Sequence, residues 1–230
     1  MKIAVITDLH YTKSKIENCP NRVGERAPEL LSAVIECLNA KIKPDIVLGL
    51  GDFINNDNEP ELLKPLAEIF KRANCPSIAI PGNHDPKPEV FYQTFERPPE
   101  FIDIKGFRFM PFPDDEQTAG YNARKSPEAL NRIKELSQEK PTILLQHVPL
   151  YMPRTIRCEY NYDNAEEIFA SCGNVVLSVS GHEHAGAMPS FRSPFPIIIA
   201  PALCERNFPF VEIDLKESEK IDLLRLHYLG

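Results

Sequence analysis

Short apolar runs alternate with longer amphipathic stretches along the first third of the chain. Residues 2–7, 45–50 and 77–80 are rich in Ile, Val, Leu and Ala, which is typical of buried strands. Between them, apolar residues recur at helical spacing from residue 28 to 38 and over 60–72, and each stretch begins with a proline. This strand–helix–strand–helix–strand order predicts a parallel sheet covered by helices.

The rest of the chain is richer in strands. Residues 101–110 alternate around Lys105-Gly106 and predict a hairpin. Helices are predicted over 126–139 and over 163–171, the second with Asp163 as its N-cap. Further strands are predicted over 142–146, 174–180, 196–200, 210–215 and 221–229. Because no long linker divides the chain, we expect one α/β domain over residues 1–230.

Composition and charge narrow the class of protein. At 230 residues, with 43% hydrophobic and 26% charged residues, the chain has ordinary globular usage. Its formal net charge of −7 argues against a nucleic-acid-binding surface, which needs many Lys and Arg contacts to phosphates. Because no apolar run reaches the ~18 residues of a membrane span and the N-terminus lacks a signal-peptide core, we expect a cytoplasmic protein that does not engage a membrane.

Five predicted strands each run into residues that can bind a metal ion. In chain order, these residues are Asp8 and His10, Asp52, Asn83, His147, and His182 with His184. Since sites in open α/β sheets lie outside the carboxyl ends of the strands, we expect the five positions to meet in one crevice. The pairs 8/10 and 182/184 would each project to one side of an extended segment. Glycines precede Asp52, Asn83 and His182 and permit tight turns there.

The chemistry of this set favours a pair of divalent cations. Carboxylate, amide and imidazole ligands suit Mn, Fe, Zn, Ni or Co rather than a structural thiolate zinc site. Seven ligands are too many for one tetrahedral ion, whereas two ions that share one carboxylate need about this number. The six cysteines are scattered without C-x-x-C spacing, so we expect reduced thiols that take no part in the site.

The order of these motifs resembles that of the calcineurin-like metallophosphoesterase superfamily. The matching segments are D-x-H (8–10), G-D (51–52), G-N-H-D (82–85), H (147) and G-H-x-H (181–184). The resemblance extends over residues 1 to about 185. It implies an α/β fold, a four-layer α/β/β/α sandwich of two mixed sheets flanked by helices.

The resemblance also implies how the ligands divide between two metal ions. One ion would be held by Asp8, His10, Asp52 and His184. The other would be held by Asp52, Asn83, His147 and His182. Asp52 would therefore bridge the two ions.

By the same resemblance, His84 binds no metal and acts in catalysis. Its implied role is to stabilise the transition state or to protonate the leaving alkoxide, and imidazole has a suitable pKa for that task. Many relatives orient this histidine with an aspartate three residues after the bridging ligand, where this chain has Asn55. An amide can accept the ring proton but cannot balance an imidazolium, so Asp57 and Asp85 are alternatives for this role.

Substrate contacts are expected from two loops. Arg22 and Arg26 follow the first strand, and Arg154 and Arg157 follow His147. Arginine suits bidentate contacts to phosphate, and tyrosines in the second loop can stack on rings. Asn55 is a further candidate contact. The alternative for all of these side chains is an ordinary solvated loop.

The main hypothesis is a dinuclear metal-dependent phosphoesterase. It would hydrolyse phosphodiester or pyrophosphate bonds of small molecules such as nucleotides, by attack of a hydroxide that bridges the metals. A phosphomonoesterase or phosphoprotein phosphatase is an alternative, but such relatives usually show G-D-x-x-D-R-G and R-N-H-E, where this chain has GDFINND and GNHD. A DNA nuclease fits the acidic balance poorly, and a non-catalytic binding module would be expected to lack some ligands. The oligomeric state is left open.

Overall fold

A computed structural model of the protein describes residues 1–15, 19–114, 116–151, 160–190 and 193–229. Over these ranges the α-helices are α1 (Ala27–Cys37), α2 (Leu63–Phe70), α3 (Pro88–Phe91), α4 (Pro127–Leu136) and α5 (Ala165–Ser171). Short 3-10 turns cover Gly24–Arg26, Pro60–Leu62 and Ala119–Tyr121, and a π turn covers Leu38–Ile42. The strands are β1 (Lys2–Ile6), β2 (Ile46–Leu50), β3 (Ser77–Ile80), β4 (Ile102–Ile104), β5 (Phe107–Pro111), β6 (Glu116–Gln117), β7 (Ala123–Arg124), β8 (Thr142–Leu145), β9 (Val175–Ser180), β10 (Ala187–Ser190), β11 (Ile197–Ile199), β12 (Pro209–Leu215) and β13 (Ile221–Tyr228).

Two mixed sheets form the centre of the fold. The first has the order β13-β12-β1-β2-β3, with β1, β2 and β3 parallel and β12 antiparallel to β1. The second has the order β10-β11-β9-β8-β5-β4, with β11, β9, β8 and β5 parallel. Strands β6 and β7 form a separate two-stranded ribbon. The predicted parallel pairings of the first half are confirmed.

Three apolar layers hold the sheets and helices together. Side chains such as Ile3 and Leu48 from the first sheet meet Phe109 and Leu177 from the second, and this cluster fills the space between the sheets. The opposite face of the first sheet is covered by α1 and α2, and that of the second by α4 and α5. Because each central strand is buried on both faces, its sequence is a continuous apolar run rather than an alternation. The four-layer sandwich implied by the resemblance is therefore confirmed.

Helix α3 lies outside the predicted elements, but it supports a loop that matters for the site. Its Phe91 stacks on Phe95 at 4.7 Å between ring centroids, and Phe53 lies 4.5 Å from Phe95. Phe53 directly follows Asp52, so this buried aromatic cluster anchors the loop after β2. Gly49 on β2 leaves the space for it, since a Cβ there would lie 2.6 Å from the Phe53 ring.

The predicted start of α5 is wrong by one residue. Asn164 rather than Asp163 stands at its N-cap position, and neither caps the helix with its side chain. The Asp163 carboxylate instead accepts a hydrogen bond from the Asn122 amide at 3.0 Å. Asn164 pairs with both main-chain groups of Lys125, at 3.1 and 3.0 Å. Contacts between distant segments therefore override the local capping signal.

All five cysteines that lie within the described residues are free: Cys19, Cys37, Cys75, Cys172 and Cys204. Within the described ranges, every helix is too short or too polar to cross a lipid bilayer.

A buried ion pair joins the two antiparallel strands at the edge of the first sheet. Glu212 accepts hydrogen bonds from the His227 ring at 2.7 Å and is paired with Nζ of Lys2 at 3.2 Å. Burial by itself would raise the pKa of Glu212, but the hydrogen bonds from His227 and Lys2 lower it below the usual value. His227 also stacks on Phe210 at 4.9 Å.

We expect Glu212→Gln to lower the free energy of unfolding at pH 7 by about 1–2 kcal/mol, because hydrogen bonds to a charged group are lost. Since the folded-state pKa is lowered, the carboxylate contributes stability above about pH 4.5, and this contribution is lost as the pH falls further. Urea unfolding at pH 7 and pH 3 measures the difference, which should shrink at the lower pH. The exposed Glu217→Gln is the control, and an equal difference at both pH values would contradict the assignment.

Candidate metal centre

The residues predicted to bind metal meet where the carboxyl ends of both sheets adjoin. Asp8 and His10 follow β1, and their main-chain N–H groups donate to the carbonyls of Gly51 and Asp52 after β2, at 3.0 and 2.9 Å. Across to the second sheet, Nδ1 of His147 donates to the carbonyl of Leu50 at 2.7 Å. The first two bonds join loops of the first sheet, whereas the bond from His147 and a bond from the His182 N–H to Asp8, at 3.0 Å, join the two sheets along a polar seam.

Four of these residues have left-handed backbone conformations. The φ angles are 53° at Asp8, 45° at His10, 53° at Asp52 and 66° at His182. The expectation that these pairs lie on extended segments is therefore wrong, although Leu9 is buried in the core and Glu183 faces Tyr151. A non-glycine residue in this region costs of order 1–3 kcal/mol and persists where the surroundings over-determine it. Four of the ten left-handed non-glycine residues in the described part of the chain thus lie at the site.

The glycines before these residues are required by close packing. A Cβ on Gly51 would lie 2.5 Å from Nδ1 of His147, and a Cβ on Gly181 would lie 2.6 Å from the carboxylate of Asp8. A Cβ on Gly82 would collide with the Asp52 side chain. Only a hydrogen fits in each position, so the three glycines allow the side chains of the site to approach one another.

One group of donor atoms belongs to Asp8, His10 and His184, and these atoms lie within 4.8 Å of one another. The Nε2 atoms of His10 and His184 are 3.0 Å apart. Oδ1 of Asp8 lies 3.8 Å from the first nitrogen and 3.6 Å from the second. The other oxygen, Oδ2, accepts hydrogen bonds from the Thr7 hydroxyl at 2.6 Å and from the main chain of His182 at 3.0 Å.

The second group is centred on Nε2 of His147. This nitrogen lies 3.0 Å from Oδ1 of Asn83, 3.1 Å from Nδ1 of His182 and 3.4 Å from Oδ2 of Asp52. The same Oδ2 of Asp52 lies 3.4 Å from Nε2 of His10 in the first group. One carboxylate oxygen is thus equally distant from both groups.

These atoms fit divalent cations. Two ligands bound to one ion at about 2.1 Å each lie about 3.0–3.4 Å apart at octahedral or tetrahedral angles. The distances around His147 fall in that range, and the pairs with Asp8 are slightly longer. Oδ1 of Asp8 is buried and has no hydrogen-bond partner among the described residues. An unpaired carboxylate oxygen aimed at two imidazole nitrogens is costly unless a cation lies between them.

Burial and mutual charges set the protonation of the site. Burial would by itself raise the pKa of Asp52, but His147 and His10 hold it well below the usual range. Burial lowers the pKa of His182 to about 4 and that of His10 to a value well below normal. Their neutral imidazoles offer lone pairs at pH 7. At His147 burial is outweighed by Asp52, which raises the pKa to about 10, so a cation must displace a proton there.

Partner groups fix which ring nitrogen of His147 and of His184 faces the site. Because Nδ1 of His147 keeps its proton to donate to a carbonyl, Nε2 is the nitrogen that would give up its proton and offer a lone pair to a cation. Nδ1 of His184 lies 3.0 Å from the carboxylate of Glu205, which leaves its Nε2 for the site in the same way. Carboxylate–histidine pairs of this kind orient metal ligands. Glu205 was not among the predicted residues, since nothing in its local sequence marks it.

His84 lies beside the centre and is oriented by the main chain. Its Nδ1 donates to the carbonyl oxygen of Asn55 at 2.9 Å, and its ring packs edge-on against His10 at 4.7 Å. The Asn55 side chain accepts instead from Arg22 at 3.4 Å. Asp85 accepts main-chain N–H groups of Gly82, Phe53 and Ile54. The alternative that Asp85 orients His84 is therefore wrong, because that carboxylate clamps the loops after β2 and β3.

A cleft of about 460 Å³ opens over these residues. Arg22 lines it near His184, with 3.5 Å between Nη2 and Nδ1 of the ring. Tyr121 and Tyr160 line it at the other end, near His182. Arg26 is placed elsewhere, paired with Glu29 at 2.6 Å and lying over Phe208 at 5.0 Å. The predicted substrate residues Arg154 and Arg157 lie outside the described residues.

Cys204 lies next to the first group. Its sulfur is within 4.8 Å of donor atoms of His184 and Glu205. Burial and the charge of Asp8 raise the pKa of its thiol, so the protonated form is favoured. The expectation that thiolates take no part in the site therefore stays a prediction.

A sequence profile of the family described as calcineurin-like phosphoesterase matches residues 1–186. The chain belongs to the calcineurin-like phosphoesterase family. A probable cyclic nucleotide phosphodiesterase of Coxiella burnetii is 27% identical over 231 residues, covering 96% of this chain and 90% of that protein. A probable cyclic nucleotide phosphodiesterase of Synechococcus sp. is 29% identical over 197 residues, covering 80% of this chain and 73% of that protein.

A solved structure supports the fold independently. A dimetal phosphatase from Danio rerio superposes with a TM-score of 0.75, covering 94% of this chain and 93% of that one, at 13% identity. This likeness concerns the fold alone. As a calcineurin-like phosphoesterase, the protein is a metal-dependent phosphoric ester hydrolase, and its family uses divalent metal ions.

We expect Gly82→Ala to abolish stable metal binding, because the added Cβ would collide with Asp52 and also press on His147, at 2.9 Å from its ring. Elemental analysis after gel filtration measures the metal content. The control is Gly106→Ala, whose added Cβ meets open space and which costs only the strain of its positive φ, about 1 kcal/mol. Full metal occupancy in Gly82→Ala would contradict the close packing described here.

Proposed function

We propose that this calcineurin-like phosphoesterase hydrolyses phosphodiester bonds of small molecules such as nucleotides at a centre of two divalent cations. Asp8, His10, Asp52 and His184 would hold one ion. Asp52, Asn83, His147 and His182 would hold the other. His84 is the catalytic residue of this proposal.

The position of the Asp52 carboxylate carries the proposal. Its Oδ2 lies 3.4 Å from a nitrogen of each donor group, which is the arrangement that a shared ligand of two ions requires. Its Oδ1 accepts the main-chain N–H of His84 at 2.8 Å, so the carboxylate cannot rotate freely. A single ion would leave one of the two donor groups without a partner.

The shape of the cleft and the relatives favour a small diester as substrate. The cleft volume falls within the usual range for small-molecule sites. Two relatives that align with most of the chain are named probable cyclic nucleotide phosphodiesterases. The guanidinium of Arg22 at one end can bind phosphate oxygens, because arginine matches their geometry. Hydrolysis of a pyrophosphate bond uses the same chemistry and remains within the proposal.

Each residue of the cleft has a separate task. Two divalent cations, when bound, polarise the phosphoryl group and lower the pKa of water. Arg22 and the amide of Asn83 orient the phosphate. Because Nδ1 of His84 donates to the carbonyl of Asn55, its Nε2 is left to face the cleft. In the imidazolium form, that nitrogen can donate a hydrogen bond to a phosphoryl oxygen or deliver its proton to the leaving alkoxide.

We propose that the whole chain, residues 1–230, forms one such domain. The family match ends at residue 186, but β12 pairs with β1 over four residue pairs and carries the first sheet beyond that point. The loop before β12 also supplies Glu205, which holds His184.

Turnover of two synthetic esters by the protein loaded with Mn²⁺, Fe²⁺, Zn²⁺ or Ni²⁺ tests the reaction type. We expect hydrolysis of bis-(p-nitrophenyl) phosphate with little hydrolysis of p-nitrophenyl phosphate. Preference for the monoester would favour a phosphatase, and turnover of neither by metal-loaded protein would contradict the proposal.

We expect Asp52→Ala to lose both cations, because the shared ligand is removed, and with them all diester turnover. Elemental analysis and titration with the metal measure the stoichiometry. Asp57→Ala, an exposed acid five residues further on, is the matched control and should keep the metal content of the wild type. Retention of two ions per chain by Asp52→Ala would contradict the bridging role.

We expect His84→Asn to retain metal but to lower kcat by about 10²- to 10⁴-fold, the usual contribution of a general acid. The loss should be larger for an alkyl diester than for bis-(p-nitrophenyl) phosphate, because p-nitrophenolate leaves without protonation. Equal losses for both esters would assign His84 to phosphoryl stabilisation instead. An unchanged rate would remove it from the mechanism.

A further inference from the structure

We propose that Tyr121 and Tyr160 form a stacking subsite for the aromatic base of the substrate. This inference rests on the proposed function and narrows its substrate class to nucleotides. It concerns the end of the cleft beside His182, which none of the metal or phosphate contacts described above occupies.

The two tyrosines form one aromatic wall. Their ring centroids are 6.5 Å apart with an interplanar angle of 71°. The Tyr160 ring packs on the His182 ring at 4.4 Å, and Tyr121 lies 6.5 Å from the same ring. Since Arg22 lies beside His184, the cleft has an aromatic end and a guanidinium end, with the donor groups between them. A nucleotide has the same order of parts, an aromatic base at one end and a phosphate at the other.

Tyr121 is held in the cleft at an energetic cost. Its side chain is 60% exposed, so it gains little from burial. Its φ is 63° and that of Gly120 is 70°, two consecutive left-handed residues. Strain of this kind persists where the surroundings impose it, and it is concentrated at ligand sites. An exposed ring on a strained turn is explained if the ring face serves a ligand.

The segments that carry the two rings are fixed to each other and to the metal centre. The β6–β7 ribbon supports the turn with Tyr121, and Gln117 on it donates to the carbonyl of Asn83 at 3.3 Å. Ala123 on β7 forms a bridge with Tyr162, and its N–H donates to the carbonyl of Asn161 at 3.1 Å. The wall is therefore preorganised relative to Asn83, which lowers the entropic cost of stacking a base.

Stacking predicts a preference for substrates that carry an aromatic base. Contact between a base and an aromatic side chain tolerates every base, because each has a π face, and its loss on alanine substitution corresponds to about 5- to 100-fold in affinity. The hydroxyl groups contribute little to such a contact, so a phenylalanine in place of either tyrosine should preserve the affinity for the base. An aliphatic diester has no ring to stack, so its turnover should be the same in the alanine variants as in the wild type.

The test compares 3′,5′-cyclic AMP with the aliphatic diester glycerophosphoethanolamine, using metal-loaded Tyr121→Ala and Tyr160→Ala. We expect KM for cyclic AMP and the inhibition constant of AMP to rise about 5- to 100-fold. Turnover of the aliphatic diester, the inhibition constant of inorganic phosphate and the metal content should be unchanged. Tyr121→Phe should restore wild-type values, and Tyr228→Ala, another exposed tyrosine remote on β13, is the matched control.

Equal losses on both diesters, or no change on either, would overturn the subsite. Wild-type protein that hydrolyses the aliphatic diester but not cyclic AMP would also overturn it while leaving the proposed function intact. The proposed function fails only if the wild type also leaves bis-(p-nitrophenyl) phosphate intact. If it hydrolyses neither of the two diesters compared here, calorimetric titration with AMP against ribose 5-phosphate decides the subsite alone. Should Tyr160→Ala fail to fold, Tyr121→Ala on its exposed turn decides the outcome.

Discussion

The carboxylate of Asp52 makes contacts in three directions, and the rest of the centre is arranged around it. One oxygen accepts the N–H of His84, and the other lies 3.4 Å from both His10 and His147. The side chain is buried, so its charge interacts strongly with those imidazoles in an environment of low dielectric constant. A carboxylate in this position attracts one imidazole from each of the two ligand groups and holds both at the same distance. Without it, the loops after β1 and β8, which carry His10 and His147, would have no common charge partner in the loop after β2.

Backbone strain is the cost of this arrangement, and the apolar layers offset it. Four of the donor residues adopt left-handed conformations, each of which costs of order 1–3 kcal/mol. Phe53 sits directly after one of these residues and is buried in an aromatic cluster with Phe91 and Phe95. Burial of a phenylalanine contributes about 1.5–3 kcal/mol, comparable to the strain of its neighbour. The apolar core thus holds the loop in a conformation that its own sequence does not favour.

The sequence predicts the elements and ligands that depend on local pattern. Continuous apolar runs ending in Asp, Asn or His identify the parallel strands, and parallel topology alone brings their ends together. The local sequence pattern does not predict that Glu205 orients His184 or that the carbonyl of Asn55 orients His84. Any carboxylate or main-chain oxygen can take such a role once tertiary folding brings it near. The wrong cap at Asp163 has the same origin, since Asn122 competes for that carboxylate. The ribbon bearing Tyr121 is too short for a periodic signal to reveal it.

The polar seam between the sheets has a mechanical consequence. The layer between the sheets is apolar and non-directional, so by itself it would tolerate sliding of one sheet over the other by part of a residue. The hydrogen bonds from His147 to Leu50 and from His182 to Asp8 are directional and short. They prevent such sliding at one border of the apolar layer between the sheets. They therefore fix the position of one half of the chain relative to the other at the site, where metal ligands must be held to within about 0.5 Å.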